Sequence, residues 1–262
     1  MDKNELEFKK AINDALVFFV SDLFRSLTNF TNKCSDGFIE YDPVENCDCY
    51  AFDVTNAKFR DNVKRVVIVL ESPHVDEYSK KEDPICAKGQ TGENLKSHLK
   101  TLLHKIEIDD ECVDIVIVNA VPYQCSQGVD TEILRDFVWL KCWYEFGYSN
   151  ILELLDKIDP DYIVNCCTKG CHFLFSSGNN VSKAYIEKVV GAEVFSKEID
   201  NQKFFDDSPG KKEYSLREFV SQCLRNYKKS HSRVELYRCT HPCTWSEFPD
   251  KEFQKIEENK KC

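Results

Sequence analysis

Three stretches of the chain are apolar without alternation: residues 65–70 (Arg-Val-Val-Ile-Val-Leu), 114–119 (Asp-Ile-Val-Ile-Val-Asn) and 161–165 (Asp-Tyr-Ile-Val-Asn). A strand that is covered on one face alternates, so runs like these predict strands buried on both faces. A fourth strand is predicted at 234–239. Between the runs the apolar spacing changes to three and four, the period of a helix packed along one face. Residues 4–28 show this most clearly, with Leu6, Phe8, Ala11, Ile12, Leu16, Phe19, Val20 and Leu23 on one broad face. Further helices are predicted from Gly92 to Lys105 and over 131–144, 150–158, 168–175, 183–190 and 215–228. The last opens on Ser215 with Glu218 three residues on, a capping-box spacing. Residues 29–50 read as irregular because Asn, Asp, Gly, Pro and Cys interrupt any period. Residues 71–91 read as a long loop and 247–262 as a charged tail.

Strands that alternate with helices imply an α/β fold. The expectation is three layers, α/β/α, around a central, mainly parallel, four-stranded sheet. The domain reading is a helical and irregular extension over 1–60, the α/β domain over 61–246 and the tail over 247–262. The longest apolar runs, residues 15–20 and 66–70, are too short to span a bilayer. Met1 to Glu7 shows no basic region leading into an apolar one, so no signal peptide is expected and the cytoplasm is the expected location.

Composition sharpens this picture in two places. The chain has 262 residues and a formal net charge of −10, with 35 Lys and Arg against 45 Asp and Glu. That balance excludes a protein held on nucleic acid by bulk charge alone. Residues 203–238 nonetheless carry nine Lys/Arg against five Asp/Glu, either a solvated helix face or a local basic surface. The 14 cysteines, without a secretory leader, read as reduced thiols, metal ligands or core residues rather than disulfides.

In open parallel sheets, ligands bind outside the carboxyl ends of the strands. That rule selects residues 71–78, 119–124, 165–169 and 240–246. The first segment follows Val66-Val67-Ile68-Val69-Leu70 with Glu71-Ser72-Pro73-His74. The second is Asn119-Ala120-Val121-Pro122, and the last is His241-Pro242-Cys243-Thr244-Trp245-Ser246. In order and spacing these resemble the uracil-DNA glycosylase superfamily. That family has an apolar strand ending in a polar, Pro-containing water-activating loop, a second strand ending in an Asn that reads the base, and a final strand running into a His-Pro loop that ends in Ser. The resemblance covers residues 60–246.

The resemblance implies a role for each of these residues. Glu71 stands where four-iron members carry a Glu and would activate water and stabilise the sugar cation. Ser72 falls where the best-known branch has its catalytic Asp, which moves that role to Glu71. His74 falls near the position that gates against the thymine methyl. Asn119 would read the pyrimidine edge through its amide, which both donates and accepts. Tyr123 would serve as a stacking platform, since the 71–91 loop offers only Tyr78. His241 would donate to the departing base. Gln90 and Thr91, in the Gly-rich turn 89–92, would contact DNA. So would Ser246, at a phosphate, and Trp245, as a wedge in the stack.

The implied activity is hydrolysis of the base–sugar bond of a uracil or another modified pyrimidine flipped out of DNA. The family also has members that attack hypermodified phage bases in defence. A non-catalytic nucleic-acid-binding module on the same fold is the alternative from another class, and Glu71 favours the enzyme. No Lys is placed for a Schiff base, so strand cleavage is not expected. Four-iron members hold their cluster with two close cysteines before the first strand and two after the second. Cys47, Cys49, Cys125 and Cys142 repeat that order, but Cys47-Asp48-Cys49 is tighter than the family spacing, so these thiols are read as loop and core residues. The expectation is a monomer with DNA as partner and no cofactor or membrane.

Overall fold

A computed structural model describes residues 33–43, 50–74, 77, 85–109, 111–123, 125, 139–140, 142–168 and 215–256. The predicted helices over 4–28, 168–175 and 183–190 lie outside these residues, apart from Thr168. So do Cys47, Cys49, Tyr78 and most of the 131–144 helix.

The four predicted strands are present as β3 (Lys64–Leu70), β4 (Val113–Asn119), β5 (Tyr162–Asn165) and β6 (Glu235–Arg238). They are parallel, in the order β4-β3-β5-β6. Three more strands enlarge the sheet to seven and make it mixed. Preceding the parallel set, β1 (Asp36–Tyr41) runs antiparallel to β4 and β2 (Tyr50–Phe52) antiparallel to β1. At the far edge β7 (Gln254–Lys255) runs antiparallel to β6. The expected four-stranded sheet is therefore the centre of a larger one. Residues 36–41 and 50–52, read as irregular, and 254–255, read as tail, are strands.

Side-chain alternation splits the core in two. Val67 and Val69 of β3 and Val116 and Val118 of β4 face one side. There they meet Ile151, Leu155 and Ile158 of α2 (Tyr148–Ile158) and Phe219, Val220, Cys223 and Leu224 of α3 (Leu216–Ser230). Val66, Ile68, Leu70, Ile115 and Ile117 face the other side, against Leu95, Leu99, Leu102 and Leu103 of α1 (Gln90–Lys105). The α/β architecture, with helices on both faces of the sheet, is thus present. The leucines of α1 recur at helical spacing, and burying each contributes roughly 1.5–3 kcal/mol.

Local chemistry sets the helix ends. The α3 start is capped as the spacing predicts: the Ser215 hydroxyl accepts the Glu218 N–H at 3.2 Å. The α1 start lies at Gln90, two residues before the predicted Gly92, after Gly89 at φ 97°. At Gly92 a Cβ would lie 2.0 Å from the Ala87 carbonyl oxygen, so only glycine allows this approach of α1 to the preceding turn. A π-helical turn, Trp143–Gly147, precedes α2. At the amino ends of the strands, the fully buried Asp114 takes both the Arg60 Nε–H (2.6 Å) and the Arg60 backbone N–H (2.9 Å). Among the described residues no helix is long and apolar enough to cross a membrane.

Candidate functional site

The connections diverge at the carboxyl end of the sheet. The next described helix after β3 is α1, on one face, and the next described helix after β5 is α3, on the other. A crevice between the ends of two such neighbouring strands is where open α/β sheets bind ligands. Glu71 follows β3 and Thr168 follows β5, so both stand at this divergence.

Glu71 is 5% exposed. Its backbone carbonyl accepts the Val121 N–H at 3.0 Å and the Trp139 indole N–H at 2.7 Å. The Trp139 ring is itself stacked on Trp143, 5.2 Å away at 8°. The side chain reaches across to the β5 loop, where Oε2 accepts the Thr168 backbone N–H at 3.0 Å and also the Thr168 hydroxyl. From its other side this loop is tied to α3. The Arg217 backbone N–H donates to the Thr168 carbonyl (3.1 Å), and Arg217 Nε–H donates to the Cys167 carbonyl (2.7 Å). Burial pushes the Cys167 and Cys243 thiols up, and the Glu71 charge adds to the rise in each. The carboxylate therefore sits within electrostatic reach of the turn after β6.

That turn is a short 3₁₀ helix, Pro242–Thr244, capped by His241, whose Nδ1 accepts the Cys243 N–H at 3.3 Å. A neutral ring that accepts at Nδ1 carries its proton on Nε2, which makes Nε2 a donor. Asn94 of α1 donates from Nδ2 to the Pro242 carbonyl at 2.7 Å and holds the turn against the helix. Trp245 anchors it from below. The indole is 1% exposed, lies edge-on to Phe248 at 5.3 Å and donates to the Thr240 carbonyl and hydroxyl, each at 3.1 Å. The position expected to wedge into a base stack is core here, and Ser246 beside it is exposed.

Asn119 lies opposite Leu70, one residue before Glu71 in the register. Strand alternation puts it with Ile115 and Ile117 on the α1 face, the face on which the His241 turn also packs. It is 2% exposed, and its Oδ1 has no hydrogen-bond partner among the described residues. Buried amide oxygens are nearly always paired, which marks this one as an acceptor available to a ligand.

The remaining predicted residues are more scattered. Ser72 is half-buried and His74 exposed. Tyr123 is 1% exposed, with its ring edge-on to Phe146 at 5.7 Å, so in this conformation it is core rather than a platform. Gln90 is exposed and donates to Asn94 Oδ1 at 2.7 Å, whereas Thr91 is buried at the same helix start. Cys125 and Cys142 are buried in the α2/α3-side core. Among the described residues no group of three His, Cys, Asp or Glu is placed to hold a metal. The described members of the basic stretch are mostly engaged singly: Arg225 pairs with Glu218, Arg233 with Asp159, and Lys228 donates to the Val234 carbonyl.

Sequence reasoning singled out neither Thr168 nor Glu77. Thr168 stood inside a segment selected by the strand-end rule, which was the available signal. Glu77 is 3% exposed and pins the 71–91 loop, accepting the Ala87 N–H at 3.1 Å and the Cys34 thiol at 3.8 Å. Nothing local in the sequence marks it. No family model and no curated protein matches this chain.

Proposed function

We propose that the chain is a monofunctional DNA glycosylase of the uracil-DNA glycosylase type, hydrolysing the base–sugar bond of a flipped-out uracil or other modified pyrimidine. The observation that carries this reading is Glu71, a buried carboxylate held at the divergence of the sheet beside the His241 turn. Breaking an N-glycosidic bond leaves a cation-like sugar and an anionic base. Glu71 orients the water and stabilises the cation. The Nε2–H of His241 supports the base as it takes up negative charge. The unpartnered Asn119 Oδ1 takes an N–H on the polar edge of the base. Chemistry of this kind needs no nucleotide cofactor. The protein acts as a monomer on DNA in the cytoplasm, in repair or against hypermodified phage bases.

A panel of labelled single- and double-stranded DNAs carrying uracil, hypoxanthine, thymine mismatches or phage-type cytosines tests the reading. Abasic sites from at least one substrate are expected, with Glu71→Gln slower by about 10²–10⁴-fold. One observation favours a second reading. Thr168 already satisfies Glu71 Oε2, as it would in a structural staple of a non-catalytic DNA-binding module. No base release from any substrate, together with equal DNA binding by wild type and Glu71→Gln, selects that second reading.

A further inference from the structure

We infer that Thr168 is the positioning residue of Glu71: its hydroxyl fixes the orientation of the carboxylate and holds it ionised. Its catalytic consequence rests on the glycosylase reading above.

Two donors of Thr168 converge on one oxygen of Glu71, the backbone N–H at 3.0 Å and the hydroxyl. The N–H can only donate, so Oε2 is an acceptor. An ionised carboxylate accepts from both donors, whereas a protonated one gives up part of that capacity. Hydrogen bonds to the charged form favour it, and they offset the burial that disfavours it at 5% exposure. Two bonds to one oxygen also stop the carboxylate from rotating.

The two residues are 97 positions apart and follow neighbouring parallel strands, so this contact closes the divergence of the sheet rather than a local turn. Each partner is fixed from behind. Glu71 is held through its carbonyl by Val121 and Trp139, and Thr168 through its carbonyl by Arg217. A side chain whose two anchors are both braced is pre-set for its task, and small misplacements of such groups cost rate heavily.

The test compares Thr168→Val and Thr168→Ala, which lose the hydroxyl but keep the N–H, with Thr168→Ser, which keeps both. The first readout is ¹³C NMR titration of glutamate carboxyls in the full chain, with the Glu71 signal identified by its loss in Glu71→Gln. The Glu71 midpoint rises by about one pH unit in the Val and Ala variants and returns to the wild-type value in Ser. The second readout is base release. The kcat falls by about 10- to 100-fold in Val and Ala with KM little changed, the acid limb of the pH–rate profile moves up, and Ser restores both. An unmoved midpoint in whichever of Val and Ala folds, or a Ser variant as impaired as Val, overturns the inference. A shifted midpoint in a protein that releases no base sustains the role of Thr168 at Glu71 and sinks the glycosylase reading alone.

Discussion

Two asparagines end the two strands that flank β3 in the parallel sheet, and they differ in what they bond. Asn165, at the end of β5, is fully buried and completely paired. Its Nδ2 donates to the Arg217 carbonyl at 3.1 Å and to the Ser221 hydroxyl at 3.0 Å, and its Oδ1 accepts the Cys167 N–H at 3.0 Å. Asn119, at the end of β4, is buried almost as deeply, yet its Oδ1 has no hydrogen-bond partner among the described residues. Both follow an apolar run, and both look alike in the sequence. The first fastens α3 to the sheet. The second leaves the penalty of an unmet hydrogen bond standing in the folded protein, as expected where a ligand will meet it. The partner set, rather than residue type or strand position, separates structure from candidate site.

Between the two asparagines, the largest expected effect comes from Asn119→Leu. The variant keeps the branched shape of the side chain and removes an acceptor that has no hydrogen-bond partner among the described residues. Base release falls by about 10²–10³-fold, the usual loss for one hydrogen-bonding group of a preorganised site. Thermal stability changes little, because no described hydrogen bond of the Asn119 oxygen is lost. A melting scan beside the release assay reads both, and a variant that unfolds while its folded fraction stays active would erase the contrast with Asn165.

Asn165→Leu should do the reverse. It leaves the Cys167 N–H, the Arg217 carbonyl and the Ser221 hydroxyl without their shared partner inside the protein. Such orphaned groups cost about 1–3 kcal/mol each before relaxation. A net loss of about 3 kcal/mol lowers Tm by roughly 6–12 °C for a chain of this size. Activity then follows the folded fraction, checked by release assays well below the variant's Tm. A stable but inactive variant would move Asn165 into the site and break the comparison.

The same contrast explains how far the sequence could be read. The strands β3, β4 and β5 were legible because both of their faces are buried, which leaves continuous apolar runs. The helices α1 and α3 were legible from their period, and the Ser215 cap from its spacing. By contrast, β1 buries only Gly37, Phe38 and Ile39, and both residues of β7 are exposed. These two strands owe their existence to pairing with β4 and β6, and pairing leaves no local pattern. At the candidate site, Glu71, Asn119 and His241 could be singled out because a strand-end rule needs only strand positions. Thr168 was not, because its role is defined by a carboxylate 97 residues earlier. Trp245 and Tyr123 were read as contact residues because an aromatic after a strand looks the same whether it packs inward or projects. Their burial at 1% decides for packing.

The smallest effect, and the sharpest test of what Asn165 does, comes from Ser221→Ala. Ser221 is 1% exposed, and its hydroxyl accepts one of the two Nδ2 hydrogen bonds of Asn165. Removing it costs one neutral hydrogen bond, about 1 kcal/mol, or roughly 2–4 °C in Tm, with base release unchanged. In the Asn165→Leu background the same substitution should cost nothing or stabilise, because the Ser221 hydroxyl has by then lost its partner and is itself a buried burden. The double-mutant cycle therefore closes on a coupling of about 1 kcal/mol, read from the four melting curves. Independent, additive losses would mean that Asn165 and Ser221 act separately, and the hold of Asn165 on α3 would then run through the Arg217 carbonyl. Asn119 offers no described hydrogen-bond partner with which such a cycle could be built, and that is the same asymmetry seen from the other strand.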